Sequence, residues 1–535
     1  MPYPLLIKDC LERGVKLCPN KEIVCRGPSP EVEVRYTYSD FYKRVCQVAN
    51  MLEGLGVKRG DVVTTFAANS HRHFELHFAV PMMGAIFEPS TITLPNEVNI
   101  DVVSRAGSKL IFIDESFIPL FEGIKEELKT VETYVIMTDK KELPQTKLPN
   151  VYSYEELMGK ASADYAFPGD LDENSPALLA NTSGTTGPPK LFMHSHRSIF
   201  TQALELGLTD TWGLCSKDVF MSAMPIWYFN CWNFTYAAAL YGAKIVLPSS
   251  PSNATEIGEL IEREQATFLN ALSSWVTEWA GAWEEEGWKY NLSSADRMLC
   301  AASPRAPIEA LRNLVEKTGI CLVPAQGFSE ACPLISATSP KSKDWADQER
   351  VLRTDGIVTP LVKYKAVNPD GEEVKHDGKE IGMLAVKGPH VVEEYYNDPE
   401  ATAKNFDKEG YFYPGDMVAV DEKGYTRWGE RVEDLIRTKG EYIRPNVLEE
   451  IVGGLPSVLE AAAIGVPHGE FERPLVCVLL RKEYKGKVSE QELRKEFEGK
   501  IPESWMPEVV FIEEMPRGPT GKYDRRELKK QFASG

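Results

Sequence analysis

Nine consecutive residues, Thr182-Ser183-Gly184-Thr185-Thr186-Gly187-Pro188-Pro189-Lys190, have the composition of a polyphosphate cradle. Gly184 and Gly187 let the backbone turn tightly and bring N–H groups close to a ligand. The hydroxyls of Thr182, Ser183, Thr185 and Thr186 add donors, and Lys190 adds a positive charge. The run follows a short apolar stretch, Pro176–Ala180, as a loop leaving a strand would. It departs from the Walker pattern, because Lys190 follows Pro188-Pro189 and has no Ser or Thr behind it. The plain alternative is a flexible hydroxyl-rich surface loop. Glycine and hydroxyl residues in unbroken succession, closed by Pro-Pro-Lys, favour the cradle.

Further segments carry chemistry-bearing side chains. They are Tyr36-Thr37-Tyr38-Ser39-Asp40, Pro225-Ile226-Trp227-Tyr228-Phe229-Asn230 and Gln326-Gly327-Phe328-Ser329-Glu330. Later come Tyr413-Pro414-Gly415-Asp416, Arg431-Val432-Glu433-Asp434-Leu435-Ile436-Arg437 and Pro516-Arg517-Gly518-Pro519-Thr520-Gly521-Lys522. Each alone reads blandly: a Gly-Asp is a turn, a Ser-Glu a helix cap. In this order, over almost the whole chain, they resemble the motifs of the acyl-adenylate-forming superfamily. That superfamily includes acyl-CoA synthetases, luciferases and peptide-synthetase adenylation domains. Lys439-Gly440-Glu441-Tyr442-Ile443 and His468…Glu472-Arg473-Pro474 resemble the fatty-acid–CoA ligase branch.

The resemblance implies that an acid attacks the α-phosphate of ATP, forming an acyl-AMP and pyrophosphate, and that coenzyme A then takes the acyl group. Two anions must meet in the first step, so positioning and charge neutralisation dominate. The resemblance assigns Mg2+ to Glu330 and Thr186, with Lys522 on the charge shared by carboxylate and α-phosphate. Nucleotide and CoA contacts fall to Thr182, Ser183, Gly184, Thr185, Gly187, Lys190, Ser303, Gln326, Gly327, Phe328, Ser329, Asp416, Arg431, Arg437, Lys439 and Gly440. Asp416 would accept from the ribose hydroxyls with Arg431 assisting. A hinge at Glu433 or Asp434 would let the C-terminal domain swing, bringing Arg437, Lys439 and Gly440 to the site. The other C-terminal cations, Arg525, Arg526, Lys529 and Lys530, read as a solvated helix face.

Departures from the family pattern bear on the acid. Ala301-Ala302 and Ala325 stand where glycines are common, and Trp227, Tyr228, Phe229, Asn230 and Trp232 line the same expected pocket. An extra methyl in a packed slot costs roughly 1–3 kcal/mol, enough for about 10–200-fold discrimination. A compact short-chain, branched, alicyclic or aromatic acid is therefore expected, with a medium- or long-chain fatty acid as the alternative. Leu191 replaces a glycine, Gln326 an adenine-stacking aromatic, Pro414 a threonine and Arg437 a lysine. Two other readings differ in kind: an adenylating enzyme that loads a carrier protein, and a binding protein that has lost catalysis. Retention of Lys522, Glu330, Asp416 and Arg431 argues against the last.

Behind these residues stand the elements that must position them. The 535 residues exceed one compact core, so several domains are expected. From about residue 60, strands alternate with helices: Val62–Phe66, Leu110–Asp114, Tyr134–Asp139, Val219–Met224, Lys244–Pro248, Thr267–Leu272 and Met298–Ala302 as strands. Helices are expected over Arg72–Gly84, Asn230–Tyr241, Glu256–Gln265, Trp275–Gly287 and Ile308–Gly319. This rhythm predicts an α/β fold of parallel-rich βα layers. Gly-rich turns over 350–430 predict a small antiparallel β module, and the last hundred residues a small mobile α/β domain. The expected division is an adenylation core, 1–430, a hinge, 431–434, and a lid, 435–535.

The formal net charge of −19 argues against nucleic acid as a partner. The sequence has no apolar run of membrane-spanning length, and the N-terminus meets charge too soon for a signal peptide. Ten scattered cysteines without a CxxC pair fit free thiols in a reducing cytoplasm. The oligomeric state stays open, with a homodimer as candidate. His73 and His77 are spaced to share a helix face, but nothing completes a metal set. Trp275, Trp279 and Trp283 read as a helical core stripe.

Overall fold

The computed structural model describes residues 3–27, 33–182, 189–249, 252–301, 308–332, 334–368, 370–431, 434–438, 442–469, 471–517 and 523–532. For residues 229, 230, 232, 430, 431 and 442 it describes the backbone alone.

Among the described residues a seven-stranded sheet runs in the spatial order 151–153, 133–137, 110–114, 62–66, 86–89, 176–181 and 191–195. All its neighbours are parallel except the last pair, where Pro176–Asn181 and Leu191–Ser195 are antiparallel. A second sheet, of nine strands, has a parallel centre formed by 321–327, 297–301, 268–272, 219–222, 244–247 and 22–26. The alternation read from residue 60 onward is thus two stacked βα layers. The strand Glu22–Arg26 pairs with Lys244–Leu247 across the chain, a placement that no local pattern announces.

Helices Ile7–Leu17, His71–Met82, His196–Glu205 and Phe229–Tyr241 lie between the sheets in one core that contains Phe74, Phe78, Phe87, Phe220, Phe234 and Phe268. His71–Met82 is buried along its whole length, as a helix enclosed by two layers must be. It starts one residue earlier than expected because Ser70 accepts from His73 N. His73 and His77 sit on its face with rings stacked at 5.1 Å; His73 pairs with Thr65 and with the Ala68 carbonyl. On the outer face of the nine-stranded sheet, Trp279 and Trp283 lie in a separate core with helix Ala254–Glu264. The Trp283 indole donates to Ala254 O at 2.8 Å. Helix Ala254–Glu264 starts two residues early at its Asn253 cap and ends on Gln265, a left-handed residue at φ 56°.

Strands 363–367, 381–387, 416–420 and 426–431 form the expected antiparallel module. The remaining chain carries a three-stranded sheet of 458–468, 471–480 and 508–511. Its hydrophobic clusters draw only on residues from Ile436 onward, so this segment has a core of its own. No helix among the described residues is long and apolar enough to cross a membrane.

Candidate active site

In parallel α/β sheets, ligands collect at the carboxyl ends of the strands. Strand Pro176–Asn181 ends at Thr182, and the chain returns as Leu191–Ser195. The mouth of the candidate phosphate loop is closed by two bonds: Thr182 N donates to Lys190 O at 2.9 Å, and Lys190 N to Thr182 Oγ1 at 3.0 Å. Ser183, Gly184, Thr185, Thr186 and Gly187, between them, lie outside the described residues. Leu191, a glycine elsewhere in the family pattern, is buried in a small apolar cluster with Ile86, Val102 and Leu179.

Lys190 Nζ donates to Asn405 Oδ1 at 3.2 Å and lies 4.8 Å above the Tyr395 ring. The Tyr395 hydroxyl donates to Glu330 Oε1 at 2.8 Å, and Ser329 Oγ donates to Oε2 at 3.1 Å. Val392 N donates to Glu330 O at 2.8 Å, and His194 Nε2 donates to Ser329 O at 2.9 Å. Burial pushes the His194 imidazole down to about 4, so it remains neutral in that role. Asn405 Nδ2 in turn donates to Tyr413 O at 3.1 Å, at the head of the Asp416 turn. Gly415 takes φ 84° there, which favours glycine. One polar chain therefore connects the phosphate loop, Glu330 and the Asp416 turn.

Asp416 and Arg431 are direct partners on antiparallel strands. Gln326 and Gly327 straddle a bulge where the strand 321–327 meets 334–337. Phe328 is buried, its ring centroid 5.4 Å from Phe412 and 6.1 Å from Trp428. Its side chain belongs to the core.

The expected acyl-pocket residues gather at the strand ends of the nine-stranded sheet. Leu272, Ala301 and Ala325 stand side by side in register, the two alanines buried. Trp227 and Tyr228 follow the neighbouring strand, with ring centroids 5.9 Å apart, and Ile226 N is fixed by Asn69 Oδ1. Burial pushes the Tyr228 phenol up to about 12, so it stays protonated. Phe229 and Asn230 open helix Phe229–Tyr241. Ala302 and Ser303 lie outside the described residues, as do Glu433, Lys439, Gly440 and Lys522. Asp434 is described and half-buried, and Arg437 is exposed.

Tyr395 and Asn405 were not legible as site residues. Asp398-Pro399 signals a helix start, and helix Pro399–Asn405 forms with Asp398 as its cap. Nothing in that signal says that Tyr395, ahead of this helix, and Asn405, its last residue, meet Glu330 and Lys190.

Two stretches match known families: residues 11–396 match "AMP-binding enzyme" and residues 447–522 match "AMP-binding enzyme C-terminal domain". The chain is 33% identical to a long-chain-fatty-acid–CoA ligase of Thermus thermophilus, covering 99% of this chain and 96% of that one. It is 31% identical to a 3-methylmercaptopropionyl-CoA ligase of Ruegeria lacuscaerulensis, covering 99% and 98%. Its fold is similar to that of an anthranilate CoA ligase solved with anthranoyl-AMP. There the TM-score is 0.84 at 22% identity, over 100% of this chain and 99% of the other.

Proposed function

The chain belongs to the AMP-binding enzyme family and is an AMP-forming acid–CoA ligase; from that premise we propose that it forms an acyl-adenylate of a compact carboxylic acid. The observation that supports the site is the polar chain Lys190–Tyr395–Glu330, with Asn405 and Tyr413, which brings motifs far apart in sequence to one place. In this reading residues 1–430 are the adenylation core, 431–434 the hinge and 435–535 the lid. The reaction is assigned to the cytoplasm, with a homodimer as the candidate assembly.

The phosphate loop and Lys190 hold the triphosphate, while Asp416 and Arg431 take the ribose. Glu330 and Thr186 offer oxygen ligands that suit Mg2+. Among the described residues no three His, Cys, Asp or Glu side chains converge as a metal cage. Mg2+ keeps waters and binds through one or two carboxylates plus substrate phosphates. When bound, it supplies positive charge at the phosphate oxygens. The acid's carboxylate attacks the α-phosphorus, the bond to pyrophosphate breaks, and Lys522 stabilises the charge between them. The CoA sulfur then attacks the acyl carbonyl and AMP leaves with the electron pair of the anhydride bond.

Tyr395→Phe removes only the hydroxyl that meets Glu330. A hydrogen bond to a charged group contributes about 1.5 kcal/mol, so pyrophosphate exchange should fall about tenfold. Unchanged exchange would mean that Glu330 is held without it.

The size of the acid rests on the chain's own residues, because the two relatives' names span both a long-chain acid and a small thioether acid. Ala301, Ala325, Trp227 and Tyr228 narrow the expected pocket. CoA-dependent AMP release measured from acetate to palmitate should peak on a short, branched or cyclic acid. An optimum at about twelve carbons or longer overturns the compact-acid reading, since added methyls would then not have limited the pocket. AMP release that requires a holo carrier protein instead of CoA would overturn the acceptor.

A further inference from the structure

The segment Glu472-Arg473-Pro474 resembles the ligase branch, yet the reaction described so far gives it no task. Glu472 lies near the start of the strand Phe471–Leu480, opposite Pro467 in the hairpin with Val458–His468. Its Oε2 accepts from Arg437 N at 2.8 Å. Its Oε1 lies 3.7 Å from Lys529 Nζ. Gly465 makes room for this carboxylate: a Cβ there would stand 2.5 Å from Glu472 Oε2.

Lys529 belongs to helix Arg525–Phe532, which begins three residues after Lys522. The same helix holds a second point on the segment 434–437. Arg525 Nη1 lies 3.9 Å from Asp434 Oδ2, while Nη2 donates to Glu449 Oε1 at 2.7 Å and Nε to Ala463 O at 3.3 Å. Glu449 Oε1 also accepts from Ala463 N at 2.8 Å. Arg525 and Lys529 are thus half-buried members of a polar frame, whereas Arg526 and Lys530 are exposed. The expectation of a solvated face holds for the second pair and fails for the first. The helix must tuck two of its four cations against the hairpin to cover the cluster around Ile464, Cys477 and Leu528.

We propose that Glu472 is a positioning residue for thioester formation: it fixes the backbone of Arg437 and so the lid face that meets CoA. This rests on the two-step reading above. Helix Arg525–Phe532 is the strut beneath the segment that carries Arg437. Glu472 makes no described contact with the residues of the adenylation site.

The test separates the half-reactions, using acid-dependent pyrophosphate exchange for the first and CoA-dependent consumption of supplied acyl-adenylate for the second. Glu472→Ala should keep exchange within about threefold and lose about 10–100-fold in the second step, the scale expected when a reacting group is misplaced by about 1 Å. Glu472→Gln still offers an oxygen to Arg437 N and should recover most of that loss. Gly465→Ala displaces the carboxylate without deleting it and should behave like Glu472→Ala. Equal losses in both half-reactions, or no loss in the second, overturn the proposal. If Glu472→Ala fails to fold, the ratio measured on Gly465→Ala decides. A wild-type enzyme that makes acyl-adenylate but never passes it to CoA would instead overturn the ligase acceptor, and is recognised before any variant is compared.

Discussion

Lys522→Ala is expected to lower acid-dependent pyrophosphate exchange by about 10²–10³-fold, the usual result of removing one preorganised donor from developing charge. Adenylation forces a carboxylate onto a polyphosphate, and only a cation placed at that meeting point offsets the repulsion. In thioester formation the CoA sulfur attacks the acyl carbonyl carbon, which carries no ionised oxygens of its own, so less charge has to be neutralised at the point of attack. Supplied acyl-adenylate should therefore react with CoA within a few-fold of the wild-type rate. Lys522 lies outside the described residues, but the helix after it is anchored independently through Arg525 and Glu449, so the substitution leaves the lid's frame in place. Loss of both half-reactions in proportion would point to a disturbed lid, not to a missing charge.

Glu330→Gln should cost a similar factor, about 10²–10³ in adenylation, for a different reason. The carboxylate is buried and receives the Tyr395 and Ser329 hydroxyls, so its position is set before any ligand arrives. Glutamine keeps the shape and one acceptor oxygen but loses the charge that a hard divalent cation requires. The variant should need far more Mg2+ to reach half its maximal rate, while binding of ATP without added metal stays unchanged. Chelation with EDTA should stop wild-type exchange, and Mg2+ should restore it. A Gln variant with the wild-type rate and the wild-type Mg2+ requirement would remove Glu330 from the machinery. Its partner Tyr395 would then lose its expected effect as well, which ties the two results together.

Much of this architecture is legible in the order of residues, because strand and helix periods are local. Val62–Phe66 and Leu110–Asp114 occur as strands over the bounds expected from their apolar runs. Helix ends moved by one or two residues where a cap decided them: Ser70 and Asn253 start helices early, and Gly84, at φ 88°, lies just beyond the end of the helix that Ser70 starts. Residues 182–190 stand out as a candidate phosphate loop because their composition has few other uses. The acid was not legible, because a pocket's depth depends on side chains from several strands and on backbone shifts of fractions of an ångström.

The sequence by itself determined which chemical groups the chain has and in what order, since turn residues, hydroxyls and periodic apolar runs act through their near neighbours. Only the tertiary structure decided which of them meet. Lys190 and Asn405 are 215 residues apart, and Glu330 and Tyr395 are 65 apart. Asp416 stands opposite Arg431 because two strands pair in one register. Glu472 reaches Arg437 because Gly465, on the neighbouring strand, leaves the space that its carboxylate fills. Such contacts form when separate elements pack, and no short stretch of sequence contains both partners.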